Sequence, residues 1–301
     1  MKVAVLTGPT GVGKTEIAVR LAERFGLELV SADSRQVYCW LDIGTDKPSR
    51  EMRDRVRFHM VDKVEPDRDY SAADFARDAL AVMRRLRDEG RRLMVVGGSG
   101  MYIRAIFEPF FDAPRADARL RRELEQLPVA ELHARLSRVD PERAAALHVN
   151  DRQRVARALE VHHATGRTMS ALMREAGTAP PDFEPAYFVL TMNRDALRRR
   201  IDERFDRMMQ AGLLDEVRML REHRFSRDSG VADAYGYSEL LDHLDGKLAL
   251  SAAVEKAKAR SRAYAKRQLT WCRRLAGACW VEYTDADAVV REIAPFFESQ
   301  A

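Results

Sequence analysis

An α/β fold, with a parallel sheet flanked by helices and an all-helical insertion domain, is predicted by three features of this 301-residue chain. The first is Gly8-Pro9-Thr10-Gly11-Val12-Gly13-Lys14-Thr15, a G-x-x-x-x-G-K-[ST] phosphate-binding loop directly behind the apolar run Val3-Ala4-Val5-Leu6-Thr7. The second is the alternation of strand-like and helix-like segments over the first third of the chain, the pattern of a doubly wound, phosphate-loop (P-loop) NTPase-like sheet. The third begins near Pro114, where leucine and alanine recur at helical spacing among many charges, without a strand pattern, to about Thr178.

Element by element, the loop opens a helix through Glu16-Ile17-Ala18-Val19-Arg20-Leu21, and Leu27 to Ala32 reads as a second strand ending at Asp33. Ser71-Ala72-Ala73-Asp74 is a capping box that starts a helix running to about Glu89. Arg92-Leu93-Met94-Val95-Val96 is a third strand, broken by Gly97-Gly98-Ser99-Gly100. Within the helical stretch, Asp140-Pro141 is an N-cap followed by proline at the first helical position. Pro180-Pro181 reads as the linker out of the insertion, and Ala186 to Met192 restores a strand. Helices then run to about Leu275, followed by a short strand near Trp280-Val281-Glu282-Tyr283 and a last helix. The expected organisation is residues 1–113 as the first part of the phosphate-loop core, 114–183 as the helical insertion, and 184–301 as the second part of the core with a basic helix.

Hydrophobic residues make up 46% of the chain, enough for a proper core, and no run nears the ~20 apolar residues of a membrane span. The opening residues enter a strand directly, leaving no room for a signal peptide, so a cytoplasmic monomer is expected. Cys39, Cys272 and Cys279 form neither a CxxC pair nor a zinc spacing, and read as ordinary thiols. The net charge is only +4, but arginine is gathered in blocks: Arg198-Arg199-Arg200, Arg152/Arg154/Arg157, and the region from Lys256 to Arg274. Such blocks suit a polyanionic partner or, alternatively, solvated helix faces.

The phosphate loop carries the most specific chemistry. Its glycines let successive backbone N–H groups converge on phosphate oxygens, and the helix N-terminus adds partial positive charge. Lys14 supplies a point charge, and the Thr15 hydroxyl is the usual Mg²⁺ ligand in such a loop. Asp33, at the carboxyl end of the second strand, lies on the same rim, placed as a general base or metal-reaching carboxylate, or as a turn aspartate. The third strand ends in glycines and Ser99 where a nucleotide hydrolase would carry a metal-binding aspartate. That suits a second phosphate cradle, or a tight strand-to-helix turn. Arg204 follows the restored strand and can clamp a phosphate or pair with a surface acid. Lys256, Arg260, Tyr264, Arg267, Trp271 and Arg274 fall on one helical stripe, a face for nucleic acid, or one whose aromatics turn inward; for Trp271 the inward reading is preferred. The adjacent pair His162-His163 has no carboxylate at metal spacing and reads as structural.

Taken together, these segments resemble the tRNA dimethylallyltransferase family. The matching stretches are Gly8 to Thr15, Asp33-Ser34-Arg35-Gln36-Val37-Tyr38, Asp42-Ile43-Gly44-Thr45-Asp46-Lys47-Pro48, and Tyr70 to Phe75. Later ones are Gly97 to Tyr102, Asn150 to Arg154 with Arg157-Ala158-Leu159-Glu160, and Lys266 to Trp271. The resemblance implies transfer of a dimethylallyl group from dimethylallyl diphosphate to N6 of the adenine next to the tRNA anticodon, with release of diphosphate. It implies Asp33, Ser99 and Arg204 as catalytic residues, and Gly8, Thr10, Gly11, Val12, Gly13, Lys14 and Thr15 around the diphosphate with Mg²⁺ on Thr15. It further implies tRNA contacts at Asp33, Ser34, Arg35, Gln36, Ser99 and Arg121, at Gln153, Arg154, Val155, Ala156 and Arg157, and at Lys266, Arg267, Gln268, Leu269, Thr270, Trp271, Cys272 and Arg273. The insertion would grip the anticodon stem-loop, and the target adenine would flip from its stack.

Two departures from the family pattern stand out. Ser99 replaces the family's usual threonine and keeps the hydroxyl, and Ser238 stands where a lysine or arginine is usual, removing a basic side chain from one RNA position. There is no C-terminal zinc finger of the eukaryotic kind, which implies a bacterial-type enzyme. Alternatives are a P-loop small-molecule kinase, an adenylate isopentenyltransferase, or an NTP-dependent RNA-binding switch without chemistry. The kinase explains the first third of the chain equally well but neither the insertion nor the basic helix.

Overall fold

Val3, Ala4, Val5 and Leu6 are all buried because the strand they form has sheet on both sides and helices on both faces. A computed structural model describes residues 1–108, 111, 117–176, 182–223 and 234–300. Its elements in chain order are β1 (Lys2–Thr7), α1 (Lys14–Phe25), β2 (Leu27–Ser31), α2 (Arg50–Arg55), β3 (Phe58–His59), α3 (Ala72–Asp88), β4 (Arg92–Val96) and α4 (Gly100–Phe107). Then come α5 (Ala118–Gln126), α6 (Val129–Val139), α7 (Pro141–Ala146), α8 (Arg152–Thr165) and α9 (Met169–Ala176). The chain closes with β5 (Glu184–Thr191), α10 (Arg194–Gln210), α11 (Leu213–Glu222), α12 (Tyr237–Leu244), α13 (Leu250–Cys272), β6 (Cys279–Glu282) and α14 (Ala286–Glu298).

The six strands form one sheet in the order β3-β2-β4-β1-β5-β6, every pairing parallel. This is the expected phosphate-loop NTPase-like α/β architecture. The two-residue edge strand β3 is too short to leave a period in the sequence, and only its pairing of Phe58 with Leu29 and His59 with Val30 defines it. The restored strand begins at Glu184, two residues ahead of the expected Ala186, in register with β1 from Lys2 onward. Ser71 and Asp74 close the expected capping box reciprocally at the start of α3.

The chain divides into two compact units, residues 1–106 with 183–301, and residues 107–182. The first has one core of α1 and α14 against the sheet, built on Leu6, Ile17, Leu21, Leu29, Leu190, Val281 and Ile293. A second core under residues 37–41 gathers Val37, Leu41, Phe205, Leu213, Tyr237, Leu240 and Ala257. The second unit is helical, with Leu124, Leu132, Leu136, Ala144, Leu147, Val155 and Ala158 inside. Asp140 caps α7 by accepting from Arg143 N at 3.1 Å, with Pro141 at the helix start as expected. The expected boundary at Pro114 and the Pro180-Pro181 linker lie outside the described residues. None of the described helices is long and apolar enough to cross a membrane.

Candidate active site

The phosphate loop turns directly from β1 into α1. Lys14 Nζ donates to the carbonyls of Gly8 and Pro9, at 3.1 and 2.9 Å, so the ammonium is held by the loop's own backbone rather than by an acid. Burial lowers it to about 8; the charge of Asp33 works against that shift and the charge of Arg204 adds to it. Arg204, on α10, donates from Nη2 to Thr10 Oγ1 at 2.8 Å and from Nη1 to Asp46 Oδ2 at 3.3 Å. Its Nε is buried without a hydrogen-bond partner, a donor that an anionic ligand would complete. Val12 is different: its side chain is wholly buried in the core, so it offers the loop only backbone.

Across the cleft, Asp33 makes a turn. Its Oδ1 accepts from Arg35 N at 2.8 Å and Gln36 N at 3.4 Å, so the turn aspartate of the sequence reading is real, and it coexists with an electrostatic coupling to Lys14. Burial, with the Asp33 charge second, pushes the Tyr264 phenol up to about 12, and burial raises Tyr102 as well. Both phenols feel the Asp33 charge. Ser99 Oγ accepts from Ser34 N at 2.9 Å and lies 3.2 Å from Ser34 Oγ, locking the turn after β4 to the turn after β2. Gln36 is buried; its amide donates to the carbonyls of Thr45 and Asp46 at 3.2 and 3.0 Å, which ties down residues 42–47.

Thr10, Gly11, Gly13, Lys14, Thr15, Asp33, Ser34, Arg35, Gln36 and Arg204 thus line one cleft of about 810 Å³, with Tyr235 and Tyr264 on its wall. Thr15 and Asp33 supply hard oxygen donors, and among the described residues no group of three or more His, Cys, Asp or Glu could hold a metal without the ligand. That donor set fits Mg²⁺, which keeps several waters and shares substrate phosphates with one or two protein oxygens.

The basic helix α13 serves two sides. Arg267 donates to Tyr235 Oη at 2.6 Å, and Arg260 and Arg267 sit over the Tyr235 ring at 5.0 and 5.8 Å. Lys266, Thr270 and Arg273 are exposed, and Leu269 and Trp271 half-buried, the latter packed over Gly100 as its inward reading requires. The stripe stops early, because the helix ends at Cys272 and Arg274 falls in the following turn. Gln268 and Cys272, both placed in the tRNA-contacting segment by resemblance, are buried and point inward. Gln268 Oε1 accepts from Thr10 N at 2.8 Å and its Nε2 donates to Gly98 O at 2.9 Å, bridging the phosphate loop to the second glycine turn. A Cβ on Gly98 would lie 2.2 Å from that amide nitrogen, which is why glycine is needed there.

In the insertion, Arg121 donates to Glu160 from Nε at 3.0 Å and Nη2 at 3.4 Å, and Arg157 joins the same carboxylate at 3.2 Å. Gln153 and Arg154 are exposed, Ala156 is half-buried, and Val155 lies in the helical core, so its side chain faces away from solvent. Arg152 donates to the carbonyls of Leu124 and Glu125 at 3.2 and 2.9 Å, closing the end of α5.

Two residues that shape the cleft, Glu216 and Glu239, escaped the sequence reading. Glu216 accepts from the backbone N–H groups of Asp42, Ile43 and Gly44 at 2.8–3.1 Å and from Tyr237 Oη at 2.6 Å, fixing the loop that carries Asp46. Glu239 is fully buried, accepts from Gly236 N at 2.9 Å and pairs with Arg260. A signal for Glu216 existed: it shares the stripe Leu213, Val217, Leu220, and a carboxylate on an apolar helix face must have donors waiting. Ser238 accepts from Arg260 at 2.6 Å, so an arginine stands beside the position where the basic residue is missing.

With this geometry in hand, comparison with known proteins is informative. The family model described as IPP transferase matches residues 36–275. A tRNA dimethylallyltransferase 1 of Citrifermentans bemidjiense is 43% identical over 290 residues, covering 96% of this chain and 95% of the relative. A full-length tRNA isopentenylpyrophosphate transferase of Bacillus halodurans superposes with a TM-score of 0.74 at 39% identity, over 99% of this chain and 96% of that one. A eukaryotic dimethylallyltransferase acting on tRNA superposes with a TM-score of 0.83 at 29% identity, over 99% of this chain and 80% of the other.

Proposed function

This chain belongs to the IPP transferase family, and from that premise we propose that it is a tRNA dimethylallyltransferase, moving the dimethylallyl group of dimethylallyl diphosphate to N6 of the adenine next to the anticodon. The observation that carries the reading is one cleft with cations on one side, Lys14 and Arg204, and a carboxylate on the other, Asp33. Cations and loop amides suit a diphosphate leaving group, and the carboxylate suits the amine that attacks.

In the reaction, the C–N bond forms as the carbon–oxygen bond to diphosphate breaks, and the electron pair leaves with the diphosphate. The adenine amine is a weak nucleophile because its lone pair is delocalised into the ring. Asp33 takes the N6 proton as the new bond forms, and its turn hydrogen bonds hold it in place for this. Growing charge on the diphosphate is met by the loop N–H groups, Lys14 and the Arg204 guanidinium, whose Nε still lacks a partner. Thr15 and a phosphate oxygen would hold Mg²⁺, which when bound neutralises part of the diphosphate charge. Gly97-Gly98-Ser99 stands where a hydrolase would carry its second acid, in keeping with transfer rather than nucleotide hydrolysis. The insertion arginines and the exposed face of α13 are assigned to the RNA backbone, with the stem-loop on the insertion.

The test incubates purified protein with dimethylallyl diphosphate, Mg²⁺ and unmodified tRNA, and seeks prenylated adenine by mass spectrometry. Prenylated adenine beside the anticodon is expected. No product, together with ATP turnover on a small acceptor, would overturn the assignment.

A further inference from the structure

Helix α13 runs along the wall of the cleft and serves as a length scale for what lies there. Gln268, bonded to Thr10 of the phosphate loop, marks one point on it. Tyr264 stands one turn earlier, about 6 Å away, and Ser261 about 10 Å away; both line the cleft. The Tyr264 hydroxyl pairs with the Ser99 side chain and feels the charge of Asp33, so the ring stands where a reacting carbon is presented to that base. A dimethylallyl group extends about 5 Å from its ester oxygen to the far methyl, and a ten-carbon geranyl group about 10 Å. The first ends at Tyr264; the second overruns it by most of a helical turn.

Tyr235 covers the same stretch of α13. Its ring centroid is 5.0 Å from that of Tyr264, at a tilt of 43°. Arg260 lies over the Tyr235 ring at 5.0 Å, and Arg267 donates to its Oη at 2.6 Å. Arg260 also donates to Ser238 and pairs with the fully buried Glu239, so the clamp on this ring is anchored in the core. The cleft of about 810 Å³ is roomy, and its volume alone does not choose among diphosphate esters. Its other lining favours hydrocarbon less: Asp42, Lys47, Arg50 and Arg53 are charged, and covering them with an apolar tail strips them of water.

We propose that Tyr264 and Tyr235 form the end wall of the donor's organic pocket and set its length, admitting a five-carbon allylic diphosphate and turning away a ten-carbon one. The inference rests on the prenyl-transfer reading. A merely snug apolar pocket discriminates by about 10–200-fold per methylene, and a braced wall adds a clash to that.

Transfer from dimethylallyl and from geranyl diphosphate to unmodified tRNA is measured with Mg²⁺ on the full chain, and read as the ratio of the two kcat/KM values. In wild type the geranyl ester is expected to be at least about 10²-fold poorer, and Tyr235→Ala to narrow that gap by at least about tenfold. Tyr235→Phe keeps the ring and should keep the wild-type ratio within about threefold. If thermal melts show Tyr235→Ala to be unfolded, Tyr235→Leu replaces it and must narrow the gap by at least about threefold. Damage to folding or to tRNA binding lowers both rates and cancels from the ratio. Dimethylallyl transfer with an unchanged ratio in the folded variant, or a wild type that uses both donors equally well, overturns the inference and leaves the donor reading standing. Transfer from neither ester by wild type overturns the donor reading and the inference with it, so the five-carbon product tells the two failures apart.

Discussion

Arg204 in the core and Arg157 in the helical insertion are both helical arginines beside a carboxylate, but the carboxylates differ. Asp46, the partner of Arg204, has a side chain 58% exposed, lies at 3.3 Å and leaves one guanidinium N–H unmatched. Glu160, the partner of Arg157, is 2% exposed and also holds Arg121. An exposed ion pair is worth little, so a diphosphate can displace Asp46 at small cost. A buried carboxylate stripped of its arginines is costly, so the pair on Glu160 is part of the fold before any RNA arrives. Arg204 is poised for exchange, whereas Arg121 and Arg157 are fixed in advance.

That contrast can be broken in four places. Asp33→Ala should lower turnover by about 10²–10⁴-fold with little change in tRNA affinity, because the residue serves chemistry and its turn can survive on neighbouring bonds. Single-turnover rates and filter binding check it, and an equal collapse in affinity would make Asp33 chiefly a recognition residue. Glu160→Gln should cost about 1–3 kcal/mol of stability in the insertion, leaving two arginines on a neutral amide, while diphosphate binding in the core is unchanged. Urea melts and hydrogen exchange over residues 118–165 read this directly, and unaltered protection would remove Glu160 from the fold.

A smaller effect concerns pH. Burial holds the Lys14 ammonium at about 8, below its ordinary 10.5, so the unfolded chain binds the proton more readily. Its contribution to stability therefore rises between pH 8 and 10.5, and the cation offered to diphosphate is lost over the same interval. Diphosphate affinity should fall by at most about tenfold per pH unit above that value, and Lys14→Arg should flatten the profile. An identical slope in the arginine variant would point to another group. The smallest effect is expected of Arg267→Ala, which should reduce the salt dependence of tRNA binding by about one unit if this exposed guanidinium meets a phosphate. An unchanged slope would assign Arg267 to holding Tyr235 and Tyr264 in place.

Legibility of the site followed the distance over which each signal acts. Gly8 to Thr15, the Ser71–Asp74 box and the Asp140-Pro141 cap are local, since their partners lie within a few residues. Gln268 falls in a tRNA-contacting segment by resemblance alone. Its position on the buried stripe Ala257, Ser261, Ala265, Gln268, Cys272 was the contrary signal, a long polar side chain among small ones. Its true partners, Thr10 and Gly98, are 258 and 170 residues away. The edge strand β3 and the Glu216 carboxylate were hidden for the same reason.

By itself, the amino-acid order determined the sheet's central strands, the phosphate loop, the helical character of the insertion and the family. Each of these is written in short-range periodicity or in a contiguous motif. Only the tertiary structure decided that Arg204 keeps an exchangeable partner while Arg121 and Arg157 are locked on Glu160, that Gln268 turns inward to brace two loops, and that the Tyr283 ring lies against Gly13. Those outcomes depend on burial and on donors brought together from opposite ends of the chain, where free energy depends on spatial neighbours rather than sequence neighbours.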